Sequence, residues 1–330
     1  MAPAPSNFVM GMNFSNEFQS NPIAPDTAAT QLERIVGIPN GMVKTFSLAQ
    51  RTTAFIKDAF MRGTLSLAVG SSNDDIERFA TGNTQGFLDQ IAPYVGKIPW
   101  ICVGNEPLGS WYNGKYNAAL PGAVENLSLA LGSRKWNIGV TVPQNFEFMQ
   151  ISYPPSAGTI KPELAGIIKS TCATMKSTGA PFMVNIYPFL TRLQNPRDVP
   201  LDYCLFTAQQ DHWVHDGPYT YKNIFDAMLD ALHVALAKIG FGDLEIVVGE
   251  CGWPTAGATD ANNANAQTFL QNLINHCKSG AGTPRMPGRK LPCFVFEAYD
   301  EDQKSTAPGP FETHWGVYNA GGTEKFPLKW

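Results

Sequence analysis

The sequence predicts an α/β protein in which eight parallel strands alternate with helices. Short apolar runs rich in β-branched residues alternate with helical patterns along almost the whole chain of 330 residues. Hydrophobic residues make up 44% of the chain and charged residues only 16%, a balance that indicates a large core. Two of the apolar runs end in a glutamate and are closed within a few residues by proline, as buried parallel strands are when they reach an edge.

The strands and helices can be assigned in order from these patterns. The first helix is expected to end at Gly37 and Pro39, and Gly63 and Gly240 are expected to end two later helices. The predicted strands are 8–13, 42–46, 65–69, 100–103, 136–142, 182–186, 245–248 and 293–297. The predicted helices are 25–36, 50–61, 73–79, 84–94, 118–131, 162–177, 221–239 and 262–276. Eight strands alternating with helices are the pattern of a (β/α)8 TIM barrel.

The chain is expected to form a single domain over residues 1–330. One segment departs from the alternation, because residues 189–220 contain Pro196, Pro200 and Pro218 and show no clear helical period. A connection of this length in a compact domain is usually functional. We therefore predict a small insertion after strand six, lying over one end of the barrel.

Two glutamates lie at the carboxyl ends of predicted strands. Glu106 follows strand four in the run Gly104-Asn105-Glu106-Pro107, and Glu250 follows strand seven. In a TIM barrel the carboxyl ends of all strands meet at one mouth, where active sites lie. Two facing carboxylates can divide the work of glycoside hydrolysis, one protonated and the other ionised. The alternative is that each glutamate is the salt-bridge partner of a lysine or arginine of the barrel.

Aromatic residues in the predicted strand-end loops support a sugar substrate. Flat rings can stack on sugar faces, although each ring alone is more often part of a core. The candidate rings are Trp111, Tyr187, Phe189, Trp253 and Trp315.

Other classes of function lack their sequence signals. A net charge of −4 with no long basic stripe argues against nucleic-acid binding. The motifs of nucleotide, serine-hydrolase and zinc-peptidase sites are absent, and the five histidines show no ligand spacing near the two glutamates, so we expect neither metal nor cofactor.

No apolar run could span a membrane, and residues 1–5 lack a signal-peptide pattern. The protein is therefore cytosolic, or its signal has been removed. The six cysteines form no metal pattern, and Cys102 and Cys251 are expected to be small buried apolar residues.

Several motifs, in order along the chain, resemble the family 17 glycoside hydrolases, especially the plant-type β-1,3-glucanases. The motifs are VGNEP at 103–107, SYPPSAG at 152–158, VNIYPF at 184–189, VVGECGWP at 247–254, FVFEAYDEDQK at 294–304 and FETHWGVY at 311–318. The likeness is weaker before residue 60. It implies a β-glucan hydrolase that acts with retention of configuration.

The resemblance also implies roles for individual residues. Glu106 matches the general acid/base and Glu250 the nucleophile, with their carboxyl oxygens about 5–5.5 Å apart. Asn105 matches the residue that bonds the sugar's 2-hydroxyl. Supporting or substrate-binding positions are Tyr187, Phe189, Trp253, Glu301, Lys304 and Glu312, of which the last three form a charged cluster beside the nucleophile.

The sequence departs from the family pattern at four positions. Gly249 and Cys251 stand where serine is common, and Asp300 and Asp302 stand where asparagine is common. The added carboxylates could change the pH dependence or the subsite preference.

Three functions remain open from the sequence. The first is a retaining endo-β-1,3-glucanase, the second is a β-1,3-glucanosyltransferase, and the third is a catalytically weak glucan-binding defence protein. The expected setting is a secreted monomer, extracellular or in the cell wall, that binds β-glucan polysaccharide or oligosaccharide and neither nucleic acid nor membrane.

Overall fold

The computed structural model describes residues 8–36 and 41–330, so the predicted end of the first helix at Gly37 and Pro39 lies outside it. Within these residues nine parallel strands form one sheet, in the order β5-β4-β3-β2-β1-β13-β12-β9-β6. Two antiparallel hairpins, β7 with β8 and β10 with β11, lie outside it. The strands are β1 (Met10–Asn13), β2 (Met42–Lys44), β3 (Ser66–Gly70), β4 (Trp100–Cys102), β5 (Gly139–Thr141), β6 (Pro143–Asn145), β7 (Met149–Ile151), β8 (Thr159–Ile160), β9 (Phe182–Asn185), β10 (Val214–Asp216), β11 (Tyr219–Tyr221), β12 (Ile246–Cys251) and β13 (Cys293–Val295).

The sheet curves into an almost closed barrel. β5 pairs with β4 and β6 pairs with β9, and Val142 alone separates β5 from β6. These two pieces are therefore halves of the single fifth strand that the sequence predicts, which gives the ring eight positions. The predicted α/β fold, a (β/α)8 TIM barrel, is confirmed.

Helices connect consecutive strands and cover the outside of the barrel. α9 begins after Asn223, whose side chain accepts a hydrogen bond from Asp226 N, and α10 is capped in the same way by Asn262. Glycines in the left-handed conformation end α2, α6 and α10. The helices are α1 (Pro25–Val36), α2 (Gln50–Arg62), α3 (Asp74–Ala80), α4 (Gln85–Ile91), α5 (Leu120–Ser133), α6 (Pro162–Thr178), α7 (Pro188–Gln194), α8 (Leu201–Cys204), α9 (Ile224–Lys238) and α10 (Asn263–Ser279).

The segment 189–220 contains more regular structure than its sequence suggested. It includes most of α7, all of α8 and the strand β10. Arg192 ties it to the loop after β12 through an ion pair with Asp260 at 3.0 Å, and Asn272 of α10 donates to Leu205 O at 2.8 Å. These contacts fix the segment beside the end of the barrel at which Glu250 lies.

The core has two layers. An inner cluster fills the barrel and consists of Phe8, Met42, Ala68, Trp100, Cys102, Met183, Val247 and Phe294. A larger cluster lies between the strands and the helices. All six cysteines are buried and unbridged, which confirms the prediction for Cys102 and Cys251. In the described ranges, the helices are all too short or too polar to cross a membrane.

Candidate active site

Glu250 owes its position to a β-bulge in β12. Val248 is opposite Val184, but Glu250 rather than Gly249 is opposite Asn185, so one extra residue is inserted at Gly249. The pairing of β12 with β13 shifts over the same stretch. Since side chains alternate along a strand, Glu250 would otherwise point away from the barrel axis on which Val247 lies. The bulge therefore turns the carboxylate into the mouth.

The bulge requires a glycine. A Cβ at position 249 would lie 2.7 Å from Met183 Cγ and 2.8 Å from Asn185 Oδ1, too close for either atom. The carbonyl oxygen of Gly249 is still satisfied, because Asn13 Nδ2 donates to it at 3.0 Å and to Val295 O at 3.2 Å. Asn13 thus holds the strands β12 and β13 around the bulge.

Glu250 is buried, and each of its carboxylate oxygens has a specific partner. Lys44 Nζ lies 3.0 Å from Oε1, and the hydroxyl of Tyr187 donates to Oε2 at 2.7 Å. The side chain of Lys44 is only 1% exposed and also donates to Asn13 Oδ1 at 3.1 Å. Burial and the charge of Glu250 raise the pKa of Tyr187 well above its ordinary value, so its hydroxyl remains a donor. The carboxylate of Glu250 therefore has one cationic partner and one hydroxyl donor.

Glu106 is held in an unusual backbone conformation. Its φ is +51°, in the left-handed region that few residues other than glycine adopt, and its N–H donates to Pro143 O at 2.8 Å. Gly104 also has positive φ, and a Cβ there would lie 2.3 Å from Asn73 Oδ1. Asn73 accepts from Asn105 N at 2.8 Å and donates to Asn105 O at 3.0 Å. The VGNEP motif is therefore held in place by the side chain of Asn73, the residue that directly precedes α3.

Glu106 has surroundings that differ from those of Glu250. Its Oε1 accepts a hydrogen bond from Asn185 Nδ2 at 2.8 Å, and no lysine or arginine of the described chain forms an ion pair with it. Enclosure in the wall of the cleft, followed by the charge of Glu250, raises the pKa of Glu106 to about 7, although hydrogen bonds from Asn185 and Asn145 lower it. The Glu106 carboxyl can therefore be protonated near neutral pH while Glu250 remains paired with a cation. Asn185 connects the two, because it pairs with Glu250 in the sheet.

The predicted charged cluster is present on the loop after β13. Lys304 Nζ lies 3.4 Å from Glu301 Oε2 and 3.7 Å from Glu312 Oε2, and 4.9 Å from the ring centre of Phe296. Burial alone would lower the pKa of Lys304, but the surrounding carboxylates raise it. The cation that contacts Glu250 directly is Lys44, which the sequence reasoning missed.

The two aspartates that depart from the family pattern are occupied elsewhere. Asp300 pairs with Lys325 at 2.6 Å and accepts from Gly316 N at 2.9 Å. Asp302 Oδ1 accepts from Ser20 N at 2.7 Å. Neither pairs with Lys304 in the described chain.

The candidate aromatic rings divide into two groups. Phe189 and Trp253 are completely buried and in mutual contact, with their ring centres 5.2 Å apart, and Trp315 is 2% exposed. The expectation that Phe189 lines the cleft and that Trp253 can stack on a sugar conflicts with this burial. The two rings pack on each other, and Trp253 also packs on Phe269 of α10. Tyr187 reaches the carboxylate of Glu250, and Trp111 is 50% exposed.

Three of the four positioning residues carry a sequence signal that was not used. Asn13, Lys44 and Asn185 each end a parallel strand, as the glutamates nearly do, so polar residues at strand ends indicated the site more broadly. Asn73 directly precedes α3 and carried no such signal. Among the residues that the structure describes, no group of three or more histidine, cysteine, aspartate or glutamate side chains could hold a metal ion.

Comparison with known proteins identifies the family of the chain. The family model described as glycosyl hydrolases family 17 matches residues 44–330. The chain belongs to this family. Its curated relatives include glucan endo-1,3-beta-glucosidase 5 of Arabidopsis thaliana, which is 32% identical over 97% of this chain, and glucan endo-1,3-beta-glucosidase 8 of the same plant, which is 38% identical over 91%. A glucan endo-1,3-beta-glucosidase of Vitis vinifera is 37% identical over 81% of this chain and 78% of its own length.

This family 17 chain spans 66% and 57% of the lengths of the two Arabidopsis relatives. Solved structures match it over almost their full length. A beta-1,3-glucanase and allergen of Cryptomeria japonica pollen superimposes with a TM-score of 0.88 at 31% identity, covering 97% of this chain and 98% of its own. One of two plant beta-glucan endohydrolases with distinct substrate specificities gives a TM-score of 0.85 at 30% identity, covering 97% and 100%.

The ion pair between Lys44 and Glu250 should dominate the local stability of this family 17 site. The change Lys44→Met leaves a buried carboxylate without its cation and should reduce the free energy of unfolding by about 3–5 kcal/mol. Adding Glu250→Gln should recover part of the loss, because the charge that needs the cation is then gone. The measurement is urea unfolding of both single variants and the double variant.

Lys176→Met is the matched control, since Lys176 pairs with Asp243 at 2.6 Å on the surface. Its effect should be much smaller, because water screens an exposed pair. Equal losses in the two lysine variants, or strict additivity in the double variant, would contradict a buried, coupled pair.

Proposed function

We propose that this protein is a retaining endo-β-1,3-glucanase that hydrolyses laminarin-like or callose-like glucans. The observation that carries the proposal is the unequal environment of two carboxyl groups at one mouth. Glu250 is paired with Lys44 and bonded by Tyr187, whereas the pKa of Glu106 is raised to about 7. This difference suits a nucleophile and a general acid. Relatives and structural neighbours named as 1,3-β-glucanases support the choice of glucan.

The proposed reaction has two displacements. In the first, Glu250 attacks the anomeric carbon while Glu106 donates its proton to the leaving glycosidic oxygen, and a covalent glycosyl-enzyme forms. In the second, ionised Glu106 takes a proton from water, which attacks the anomeric carbon and releases Glu250. Lys44 and Tyr187 stabilise the carboxylate of Glu250 before it attacks and again when it is released.

Polar groups near the two glutamates can bind the reacting sugar. Asn105 Oδ1 and Asn185 Oδ1 have no hydrogen-bond partner in the described part of the chain, although both atoms are buried. Buried acceptors of this kind require a donor, and sugar hydroxyls supply one. We assign Asn105 to the 2-hydroxyl and propose Trp111, half-exposed in the loop after Glu106, as a stacking surface. Glu301, Lys304 and Glu312 support the site through their charges.

We also propose that the protein acts as a secreted monomer on cell-wall glucan. The support is the class of substrate, because β-1,3-glucan is an extracellular polymer. The sequence contains two glycosylation sequons, at Asn13 and Asn126, and they do not add to this support. Asn13 is fully buried and bonded to Gly249 O, and Asn126 Nδ2 donates to Phe79 O and Ala80 O.

The function can be tested by incubating the protein with laminarin, lichenan and cellulose. Laminarin should release a series of oligosaccharides, as internal cleavage requires, and cellulose should release none. Glu250→Gln is the control for contaminating activity. Products longer than the donor would instead identify a glucanosyltransferase, and binding without turnover would identify a glucan-binding protein.

The two glutamates should differ with an activated aryl glucoside, whose leaving group needs no protonation. Glu106→Gln should retain formation of the glycosyl-enzyme, whereas Glu250→Gln should abolish it, since the attacking oxygen is lost. Mass spectrometry of the intact protein after rapid mixing measures the covalent adduct. If both variants form the adduct equally slowly, the assignment of the two roles is wrong.

The pH dependence of kcat/KM should report the protonation of Glu106. Since its pKa is about 7 and the acid must be protonated, activity should fall as the pH rises through about 7. Asn185→Leu removes a hydrogen bond that lowers this pKa, so the alkaline limb should move to higher pH. Asn83→Leu, at an exposed loop position, is the control. An alkaline limb that moves to lower pH in folded Asn185→Leu would contradict Glu106 as the acid.

A further inference from the structure

A third glutamate near the site, Glu297, has a buried carboxyl group. Glu297 lies two residues after β13 and is 1% exposed. Neither of its carboxyl oxygens has a hydrogen-bond partner in the described residues. An unpaired buried carboxylate is costly, and buried polar atoms are almost always satisfied in native proteins. The state of this carboxyl therefore needs a physical explanation.

The cations near Glu297 are engaged with other groups. Lys304 forms ion pairs with Glu301 and Glu312, and Lys325 forms one with Asp300. Within the ranges 8–36 and 41–330, no lysine, arginine or histidine nitrogen lies within 4.0 Å of a Glu297 oxygen. An ion pair does not stabilise an ionised Glu297.

The neighbouring acid, Glu301, has a carboxylate oxygen that lacks a hydrogen-bond donor in the described chain. Glu301 is 3% exposed, and its Oε2 faces Lys304 while its Oε1 has no hydrogen-bond partner in the described chain. A single proton on Glu297 would supply the missing donor, because a protonated carboxyl donates one hydrogen bond and a carboxylate accepts it.

We propose that Glu297 is a neutral carboxylic acid that donates a hydrogen bond to Glu301 and thereby positions Glu301 to hold Lys304. Burial, followed by the charge of Glu301, raises the pKa of Glu297 well above its ordinary value, while Lys304 opposes the rise and Asp300 adds to it. Glu297 is a positioning residue, since it acts through Glu301 rather than on the substrate.

This role deepens the proposed hydrolase function and rests on it. Lys304 lies over the ring of Phe296, and this ring packs against Tyr187, with their centres 5.9 Å apart. The hydroxyl of Tyr187 in turn donates to Glu250. Ionisation of Glu297 would attract Lys304 away from Glu301 and Glu312. Neutral Glu297 therefore leaves Lys304 paired with Glu301 and Glu312, over the Phe296 ring that packs against Tyr187.

The test compares the pH dependence of unfolding in the wild type and in Glu297→Gln, whose amide can donate to Glu301 but cannot titrate. An acid with a raised pKa binds an extra proton on folding, so its stabilisation is full below the unfolded-state value, near 4.5, and is lost as the pH rises toward the folded-state value. From pH 5 to pH 8, the unfolding constant of the wild type divided by that of the variant should rise by up to about tenfold per pH unit.

A matched control is Glu125→Gln on the exposed face of α5, for which the same ratio should stay constant. A constant ratio for Glu297→Gln as well would mean that Glu297 is ionised in the folded protein, and the proposal would be overturned.

Glu297→Ala removes the donor, so it should reduce kcat for laminarin at least tenfold more than Glu297→Gln does. Equal losses in the two variants would also count against the proposal. Because unfolding needs no substrate, a protein inactive on glucans would still give the pH result, which separates the two hypotheses.

Discussion

The arrangement of the site depends on one buried ion pair, between Lys44 and Glu250. Two charges taken out of water are tolerated only when their geometry is good and their remaining hydrogen-bonding groups are satisfied. Here β2 supplies the cation, the bulge in β12 supplies the anion, and Asn13 of β1 bonds both the ammonium and the carbonyl of the bulge. Two consecutive strands and a third that is distant in sequence must therefore keep their register for the pair to form. The fold and the chemistry of the site are constrained by the same contacts.

The second carboxyl differs from the first mainly because it lacks a cation. Glu106 receives an amide hydrogen bond from Asn185 instead of an ion pair, and the negative charge of Glu250 raises its pKa further. The charge of Glu250 thus helps to keep a proton on Glu106, although the charge of Lys44 opposes this effect. The pKa of buried Glu297 is raised in the same way, by burial and by the charge of a neighbouring carboxylate, Glu301. At the mouth of the barrel, Lys44 pairs with Glu250, and Lys304 pairs with Glu301 and Glu312. Glu106 and Glu297 form no ion pair within the described chain.

The sequence predicted the barrel and both glutamates because each depends on local patterns. Apolar runs closed by glycine or proline identify strands, and charged residues at their ends identify the mouth of a barrel. What the sequence did not predict depends on register. The division of strand five at Val142, the bulge at Gly249 and the contact of Lys44 with Glu250 all require knowledge of which residues face each other. The burial of Phe189 could not be foreseen either, because the packing of its ring against Trp253, Phe311 and Trp315 is invisible in a motif.

Gly249 illustrates how a departure from a family pattern can be read in physical terms. Serine is common at this position in family 17, yet a side chain here would clash with Met183 and with Asn185 Oδ1. The glycine is therefore linked to the position of the Asn185 amide, whose nitrogen donates to Glu106 and whose oxygen has no partner in the described chain. A larger residue at 249 would have to displace that amide or the Met183 side chain. Because the displaced amide contacts the proposed acid, a change on the nucleophile's strand would be felt at the other carboxyl. The two glutamates are thus coupled through a glycine and an asparagine as well as through their charges.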